Sequence, residues 1–353
     1  MTAMGDAHEF RVGVIGCGAL GRAIGQQFRS EPTATVAALA DVSAAARAEA
    51  GALLDVPESA RYEEYATMLD VADLDGVVIA TPHALHHEQV AAALDADLHV
   101  LCEKPLVLTV EDAVDLRDRA AAADRTLLVG YQRHLDQAFV RARERYRGDA
   151  GVGKASEDGG TEPPEIAHVT AEITQPWFDL AEGTWRVDPD LAGGGFTVDT
   201  GRHVIDALLW VTGLEPVAVD AEMAFRSPGI DERATIRIDF AGGASAHVSL
   251  YGDAPTVREA HHVSDSQGAV EIDGLGWGSR DMRTIDDEET VQEPLLDRGA
   301  EPSKAAAFLE AVHSGEAPPS TVEDAIRATA VVEAAYESAE TGERVDLSLP
   351  DGA

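Results

Sequence analysis

The 353-residue sequence predicts a doubly wound parallel α/β domain followed by an α+β domain built on a mainly antiparallel sheet. Three observations predict it. Between 11 and 131, short apolar runs alternate with helical stretches across short connections, the pattern of a parallel sheet covered by helices on both faces. The first run passes straight into GCGALG at 16–21, a glycine turn that opens a helix. From 166 onward strand-like runs follow one another with few helices between them, which is the α+β pattern.

In order, 1–10 (MTAMGDAHEF) read as a loose tail, and 11–29 as strand, glycine loop and helix. TVAALAD at 35–41 is a second buried strand ending in an acid, and 43–54 is an alanine-rich helix. A short helix is expected at 61–69 and strand DGVVIAT at 75–81. Helix 84–96, strand LHVLC at 98–102, helix 109–123 and strand TLLVGY at 126–131 complete a first domain of 11–131. The second domain, 132–353, begins with a helix to Tyr146. The stretch 148–164, rich in glycine, proline and acids, is expected as an exposed insertion. Strands follow at 166–175, 217–225, 233–240, 244–251, 257–263 and 268–272, interrupted by a glycine turn and helix in 191–213. Two helices separated by GEAPPS close the chain within 303–340.

The chain carries 64 acidic and 27 basic residues, a formal charge of −37, with the carboxylates spread along its whole length. That field repels phosphate backbones and anionic lipid, so neither nucleic acid nor a membrane surface is expected as a partner. Three lysines stand against 24 arginines. Dispersed acids with almost no lysine resemble the composition of proteins from salt-accumulating halophiles. At molar salt the Debye length falls to ~3 Å and self-repulsion is screened. Two cysteines exclude a disulfide framework, and no signal sequence or membrane-length apolar run is present, so a cytoplasmic location is expected.

In GCGALG, Gly16 permits the tight turn, Gly18 lets the backbone approach a pyrophosphate, and Gly21 lets helix and strand pack closely. The helix N-terminus then offers N–H groups to phosphate. Asp41, twenty residues beyond Gly21 at a strand end, is placed to accept from the adenosine ribose hydroxyls and to repel a 2′-phosphate. This favours NAD over NADP, with Arg47 nearby; the alternative for Asp41 is a loop-start or N-cap residue. Lys104, in LCEKPL at 101–106, follows a strand end, as do the Gly16 loop and the Thr81-Pro82 turn. Ligands of doubly wound sheets bind at those ends, where a lysine can polarise a hydroxyl or carbonyl. The alternative is a surface lysine paired with Glu103.

GCGALG at 16–21, ATPHALHH at 80–87, EKP at 103–105 and GGGFTVDTGRHVID at 193–206 resemble the glucose-fructose oxidoreductase, inositol dehydrogenase and rhizopine-catabolism (Gfo/Idh/MocA) oxidoreductases. The 321–345 tail is similar to the family's C-terminus and is expected to pack back on the first domain. The resemblance implies a Rossmann domain, an open-faced, mostly antiparallel second sheet, and substrate held between that sheet and a nicotinamide. It implies NAD(P)-dependent hydride transfer to or from a sugar, polyol or sugar acid. Lys104, Asp199 and His203 take the catalytic roles. Gly16, Gly18, Ala19, Leu20, Gly21, Asp41, Thr81, Pro82, His86, Glu103 and Lys104 form the cofactor set. Residues 132–134, QRH, stand where many members carry a second arginine, and Arg133 joins Trp185, Arg186, Asp199 and His203 as the expected substrate contacts.

The residues themselves agree. On a helix, Asp199, His203 and Asp206 share one face at i, i+4 and i+7. Gly193 to Gly195 permit close approach of backbone to a ligand. Histidine, with an unperturbed pKa of ~6.5, suits removal of a hydroxyl proton. Asp199 binds a neighbouring hydroxyl or orients His203, while Asp206 reads as structural. Trp185 and Arg186 are candidates to line a sugar site, with packing as the alternative. His261 and His262, adjacent in a strand, point to opposite faces. Cys17 and Cys102 read as small fillers. No third ligand at recognisable spacing supports a metal. Two other functions remain open at this level: a cofactor-binding regulator without turnover, and a reductase of a non-sugar ketone or imine. Copies of the same chain, as a homodimer or homotetramer joined through the open sheet face, are the expected partners.

Overall fold

The computed structural model describes residues 9–147, 164–350 and 352. The elements, in chain order, are β1 (Phe10–Ile15), α1 (Ala19–Ser30), β2 (Ala34–Ala40), α2 (Ala44–Leu54), β3 (Arg61–Tyr62), α3 (Tyr65–Val71), β4 (Gly76–Ile79), α4 (His86–Asp95), β5 (His99–Cys102), α5 (Val110–Ala123) and β6 (Leu127–Val129). There follow α6 (Gln137–Arg147), β7 (Ile166–Pro176), α7 (Trp177–Ala181), α8 (Pro189–Ala192), a π-turn (Thr197–Gly201), α9 (Arg202–Thr212), β8 (Pro216–Ser227), β9 (Ile230–Phe240), β10 (Ser245–Tyr251) and β11 (Asp253–Asp265). The chain ends with β12 (Gly268–Leu275), β13 (Asp281–Asp286), β14 (Val291–Gln292), α10 (Lys304–Ser314), α11 (Val322–Thr341) and β15 (Val345–Asp346). The 148–164 stretch lies outside the described residues except for Pro164.

The chain divides into two units: Met1–Gly130 with Pro302–Val322, and Tyr131–Glu301 with Glu323–Ala353. The return to the first unit is thus made by 302–322, most of it upstream of the 321–345 stretch. The first unit is a six-stranded sheet in the order β3-β2-β1-β4-β5-β6, with every pairing parallel. Its central strands are mostly apolar because helices cover both faces; Val12, Val14, Val77, Val78, Val100 and Leu101 are all buried. Strand order reverses between β1 and β4, so the crevice of a doubly wound sheet opens at their carboxyl ends.

Two boundaries differ from the sequence reading. The first strand begins at Phe10, inside the expected tail, because its ring packs edge-on against Phe308 of α10 (centroids 5.9 Å apart). The expected 61–69 helix starts only at Tyr65. Arg61 donates to the Val56 carbonyl (2.9 Å), and the backbone runs extended beside β2.

The second unit is a nine-stranded sheet in the order β14-β13-β12-β11-β7-β10-β9-β8-β15. Only β7 and β10 pair in parallel. Its strands alternate, as a sheet with one covered face should. Val169, Ala171 and Ile173 of β7, with Ile236, Ile238, Val248 and Leu250, point into the core. Thr170, Glu172, His247 and Arg258 point the other way and stay accessible among the described residues. His261 and His262 split as expected, one buried and one half-buried.

Candidate active site

In the first unit the glycine loop has the form its sequence requires. Gly16 has φ +92°, and a Cβ there would meet the Ala80 carbonyl oxygen at 2.5 Å. A Cβ on Gly21 would lie 1.9 Å from the Gly16 oxygen, so only glycine lets α1 start this close to β1. Around Gly18 there is open space, and Gly18, Ala19 and Leu20 are exposed. Gly18 caps α1 without a side-chain bond, leaving the helix N–H groups to an outside acceptor. An open rim, a helix N-terminus and a floor that excludes any Cβ fit a dinucleotide pyrophosphate.

Asp41 closes one side of the loop. Its Oδ2 accepts from the Cys17 N–H (2.7 Å) and its Oδ1 from the Ser43 N–H (2.8 Å). Ser43, not Asp41, caps α2 through the Ala46 N–H. A carboxylate has about four acceptor positions, so two remain for ribose hydroxyls. Arg47 donates to the Asp41 carbonyl (2.5 Å), and Arg22 to the Cys17 carbonyl (3.0 Å), bringing two guanidinium groups to the loop. Burial, then the Asp41 charge, pushes the Cys17 thiol up to about 12, and burial raises Cys102 well above its ordinary value. Both are inert fillers at neutral pH.

Lys104 follows β5, and its flanking residues are fixed. Glu103 is only 3% exposed, and its Oε1 takes the Lys304 ammonium from α10. His86 is fully buried, with Nδ1 at 2.7 Å from the Pro105 carbonyl and Nε2 at 3.0 Å from the Thr81 carbonyl. Burial lowers the His86 pKa; the two carbonyls oppose that shift. His86 therefore braces the Thr81 turn against the EKP turn, and its ring is spent on backbone. Thr81 Oγ1 donates to Gln89 Oε1, and Pro82 leads into the single turn His83–Leu85.

The second unit gathers a different set. Asp199 Oδ2 accepts from Trp177 Nε1 (2.7 Å) and Arg186 Nε (3.1 Å). Arg186 also lies over the Trp185 ring, 4.6 Å from its centroid. The structure thus brings Arg186 and Trp185 to Asp199. The His203 ring lies 5.6 Å from that of Trp277, tilted by 59°. Trp277, 41% exposed between β12 and β13, is an aromatic wall that sequence reasoning missed. The Arg133 guanidinium stands 5.6 Å from the same ring.

Three expectations are corrected here. Asp199 lies in the π-turn and His203 in α9, so the extra residue breaks the i, i+4, i+7 face. Asp206 instead meets His134 Nε2 (3.0 Å), and burial raises its pKa to about 6 while His134 pulls it down. Arg133 is not open to a substrate. It is 2% exposed, and its Nε and Nη2 both donate to the buried Glu259, which Arg280 and His261 also hold. The triple glycine is built for the protein rather than a ligand. A Cβ on Gly195 would meet the Asp231 backbone at 2.4 Å, and one on Gly194 the Tyr336 hydroxyl at 2.5 Å. Asp231 accepts from the Gly195 and Thr197 N–H groups (both 2.9 Å) and from the Tyr336 hydroxyl, fixing the entry to the π-turn.

Among the described residues no cluster of three or more metal-ligating side chains occurs, and no helix is long and apolar enough to cross a membrane.

Comparison with known proteins places this arrangement. Residues 10–131 match the oxidoreductase family with an NAD-binding Rossmann fold, and 164–272 match the GFO/IDH/MocA C-terminal domain. The chain belongs to the Gfo/Idh/MocA oxidoreductase family and is an NAD(P)-dependent oxidoreductase. It is 28% identical over 292 residues to D-xylose 1-dehydrogenase (NADP(+)) 2 of Haloferax volcanii, covering 81% of this chain and 84% of that one. It is 25% identical over 359 residues to myo-inositol 2-dehydrogenase of Thermotoga maritima, covering 96% and 98%. The solved aldose-aldose oxidoreductase from Caulobacter crescentus, complexed with glycerol, superposes with a TM-score of 0.81 at 25% identity, over 96% of this chain and all of that one.

Proposed function

We propose that the protein oxidises a CH–OH group of a sugar, polyol or sugar acid, or reduces the matching carbonyl, with NAD as the favoured cofactor. The observation that carries this is the meeting of three strand ends in one sheet. The glycine cradle follows β1, the Thr81 turn follows β4 and Lys104 follows β5, all at the carboxyl edge where ligands of such sheets bind. The names of the xylose and inositol dehydrogenases among the relatives support the substrate class.

The bound nicotinamide supplies the hydride acceptor or donor. Gly16, Gly18 and Gly21 cradle the pyrophosphate, with Ala19 and Leu20 at the rim. Asp41 takes the ribose hydroxyls, its charge disfavouring a 2′-phosphate, while Arg22 and Arg47 temper that preference. Thr81 and Pro82 border the cofactor; His86 and Glu103 hold the loops beside it. In the oxidative direction the substrate hydroxyl gives its proton to the His203 imidazole as hydride leaves the same carbon. The Lys104 ammonium stabilises the charge developing on that oxygen. Asp199, held by Trp177 and Arg186, accepts from an adjacent hydroxyl and orients the sugar; Trp277 offers its ring to the sugar's C–H face. The accessible sheet face, on which Arg258 pairs with Glu172 and Arg283 with Glu271, is not covered by helices of its own among the described residues, and a symmetric homodimer or homotetramer through it is the proposed assembly.

The test is a turnover screen in molar KCl. Aldoses, polyols and sugar acids are offered with NAD and NADP separately, beside cyclic ketones and imines. Reduction of NAD by one carbohydrate class is the expected result. Turnover confined to the ketones and imines overturns the substrate assignment.

A further inference from the structure

Trp277 sits where the core has no need of a tryptophan. It lies between β12 and β13 with 41% of its surface exposed, whereas Trp177 and Trp210 are buried. Its neighbours in sequence are Gly276 and Gly278. Gly276 has φ +70°, and a Cβ on either glycine would meet no atom within 4 Å. The flanks of the indole are therefore open.

The tip that carries the indole has a rigid root. Arg280, wholly buried, donates Nη2 to Glu259 Oε2 (2.5 Å) and Nη1 to the carbonyl of Gly278, the residue after Trp277. Its backbone N–H reaches Asp136 Oδ2 (3.3 Å). A Cβ on Gly274 would lie 2.6 Å from the Arg280 Cδ, so the strand before the tip packs directly on that side chain. Glu259 also holds Arg133, whose guanidinium lies 5.6 Å from the Trp277 ring. One buried carboxylate thus fixes both the arginine beside the indole and the arginine that grips its loop. Such a cluster is costly to desolvate, and no step of the hydride transfer uses it. Holding an exposed ring in one place gives it a role.

The ring is also held beside the chemistry. It lies 5.6 Å from the His203 imidazole, the group proposed to take the hydroxyl proton. A pyranose or cyclitol is already rigid and presents one face of C–H bonds to an aromatic surface. An open-chain polyol has no continuous apolar face, and each of its freely turning bonds must be frozen on binding.

We infer that Trp277 is the specificity-determining residue of the site: a fixed platform that selects a cyclic carbohydrate, pyranose or cyclitol, over open-chain polyols and open-chain sugar acids. This rests on the proton-acceptor role proposed for His203.

The experiment compares the wild type with Trp277→Phe and Trp277→Leu, each as the full-length protein in molar KCl. Pyranoses and cyclitols are set against alditols and aldonates of the same carbon number, with NAD. The wild type favours the ring by about 100-fold in kcat/KM. In Trp277→Leu the ring substrate loses about 20-fold in kcat/KM, nearly all of it in KM, while open-chain turnover stays within about threefold. Trp277→Phe keeps an aromatic face and stays within about threefold of the wild type for both classes. A second reading needs neither turnover nor a variant. N-bromosuccinimide oxidises accessible indoles, and peptide mass locates the product. A ring sugar protects Trp277, and an alditol at the same concentration does not. Equal losses for ring and open-chain substrates in Trp277→Leu, or an unchanged ring preference, contradict the inference. So does a ring substrate that leaves Trp277 open to oxidation. A wild type that oxidises neither class defeats the functional reading instead, and the protection pattern still decides this one.

Discussion

The two units hold their functional groups by different means. In the first, the groups are fixed by backbone close in sequence or in the next strand. Glycine at 16 and 21 sets the loop, Asp41 reads two backbone N–H groups, and His86 spans two carbonyls. In the second, side chains hold one another. Asp199 depends on Trp177 and Arg186, the glycine turn on Asp231 and Tyr336, and Arg133 on Glu259, 126 residues away. A cradle for backbone-read phosphate requires the former, and a pocket shaped to one substrate permits the latter. Sequence variation can then retune the second unit without touching the first.

The largest effect expected from this contrast lies in the second unit. Glu259→Gln leaves Arg133 and Arg280 buried without their counter-ion and costs about 3–5 kcal/mol; chemical denaturation measures it. Burial raises the Glu259 carboxyl, but Arg133 and His261 outweigh that and hold it well below the usual carboxylate range. Its contribution is therefore complete above its unfolded value of ~4.3 and is lost as pH falls through the lower folded value. Denaturation series at descending pH show a steeper acid loss in the wild type than in Glu259→Gln. Equal slopes place the network's strength elsewhere.

Next comes a change of one carbon in the first unit. Gly21→Ala drives a methyl into the Gly16 carbonyl and weakens NADH binding about 100-fold, or ~2.7 kcal/mol. Fluorescence titration reads it, and stability changes less than in Glu259→Gln. Asp41→Ser removes the carboxylate but keeps a hydroxyl, and shifts the NAD to NADP ratio of kcat/KM toward NADP by about tenfold, ~1.4 kcal/mol. An unmoved ratio assigns the preference to Arg22 and Arg47. The smallest effect per residue is spread over both units. Because 64 acids face 27 bases, raising KCl stabilises the fold, with Tm rising roughly 2–4 °C for each kcal/mol of repulsion screened. A Tm indifferent to KCl removes the halophile-like reading of the composition.

The same contrast explains what the sequence revealed. GCGALG, the strand-end aspartate and the EKP turn were legible because their geometry is dictated by local backbone. The alternation of His261 and His262 was legible for the same reason. The π-turn was not, because it is imposed by Asp231 from another strand, and so the helical face drawn through Asp199, His203 and Asp206 was too regular. Arg133 looked available because its partner lies in a strand more than a hundred residues on. Lys304 was visible only as a rare residue, because its partner Glu103 lies 201 residues away.

The central claim is that a nicotinamide cradle and the Lys104, Asp199 and His203 side chains perform one hydride-transfer reaction. Lys104→Ala and His203→Ala, run beside the wild type on the sugar found by the screen, test it directly. The account predicts NADH affinity near that of the wild type in His203→Ala, and kcat reduced at least about 100-fold in both variants. Variants that turn over as the wild type does, or a wild type that binds NADH and transfers hydride to no carbonyl, contradict it.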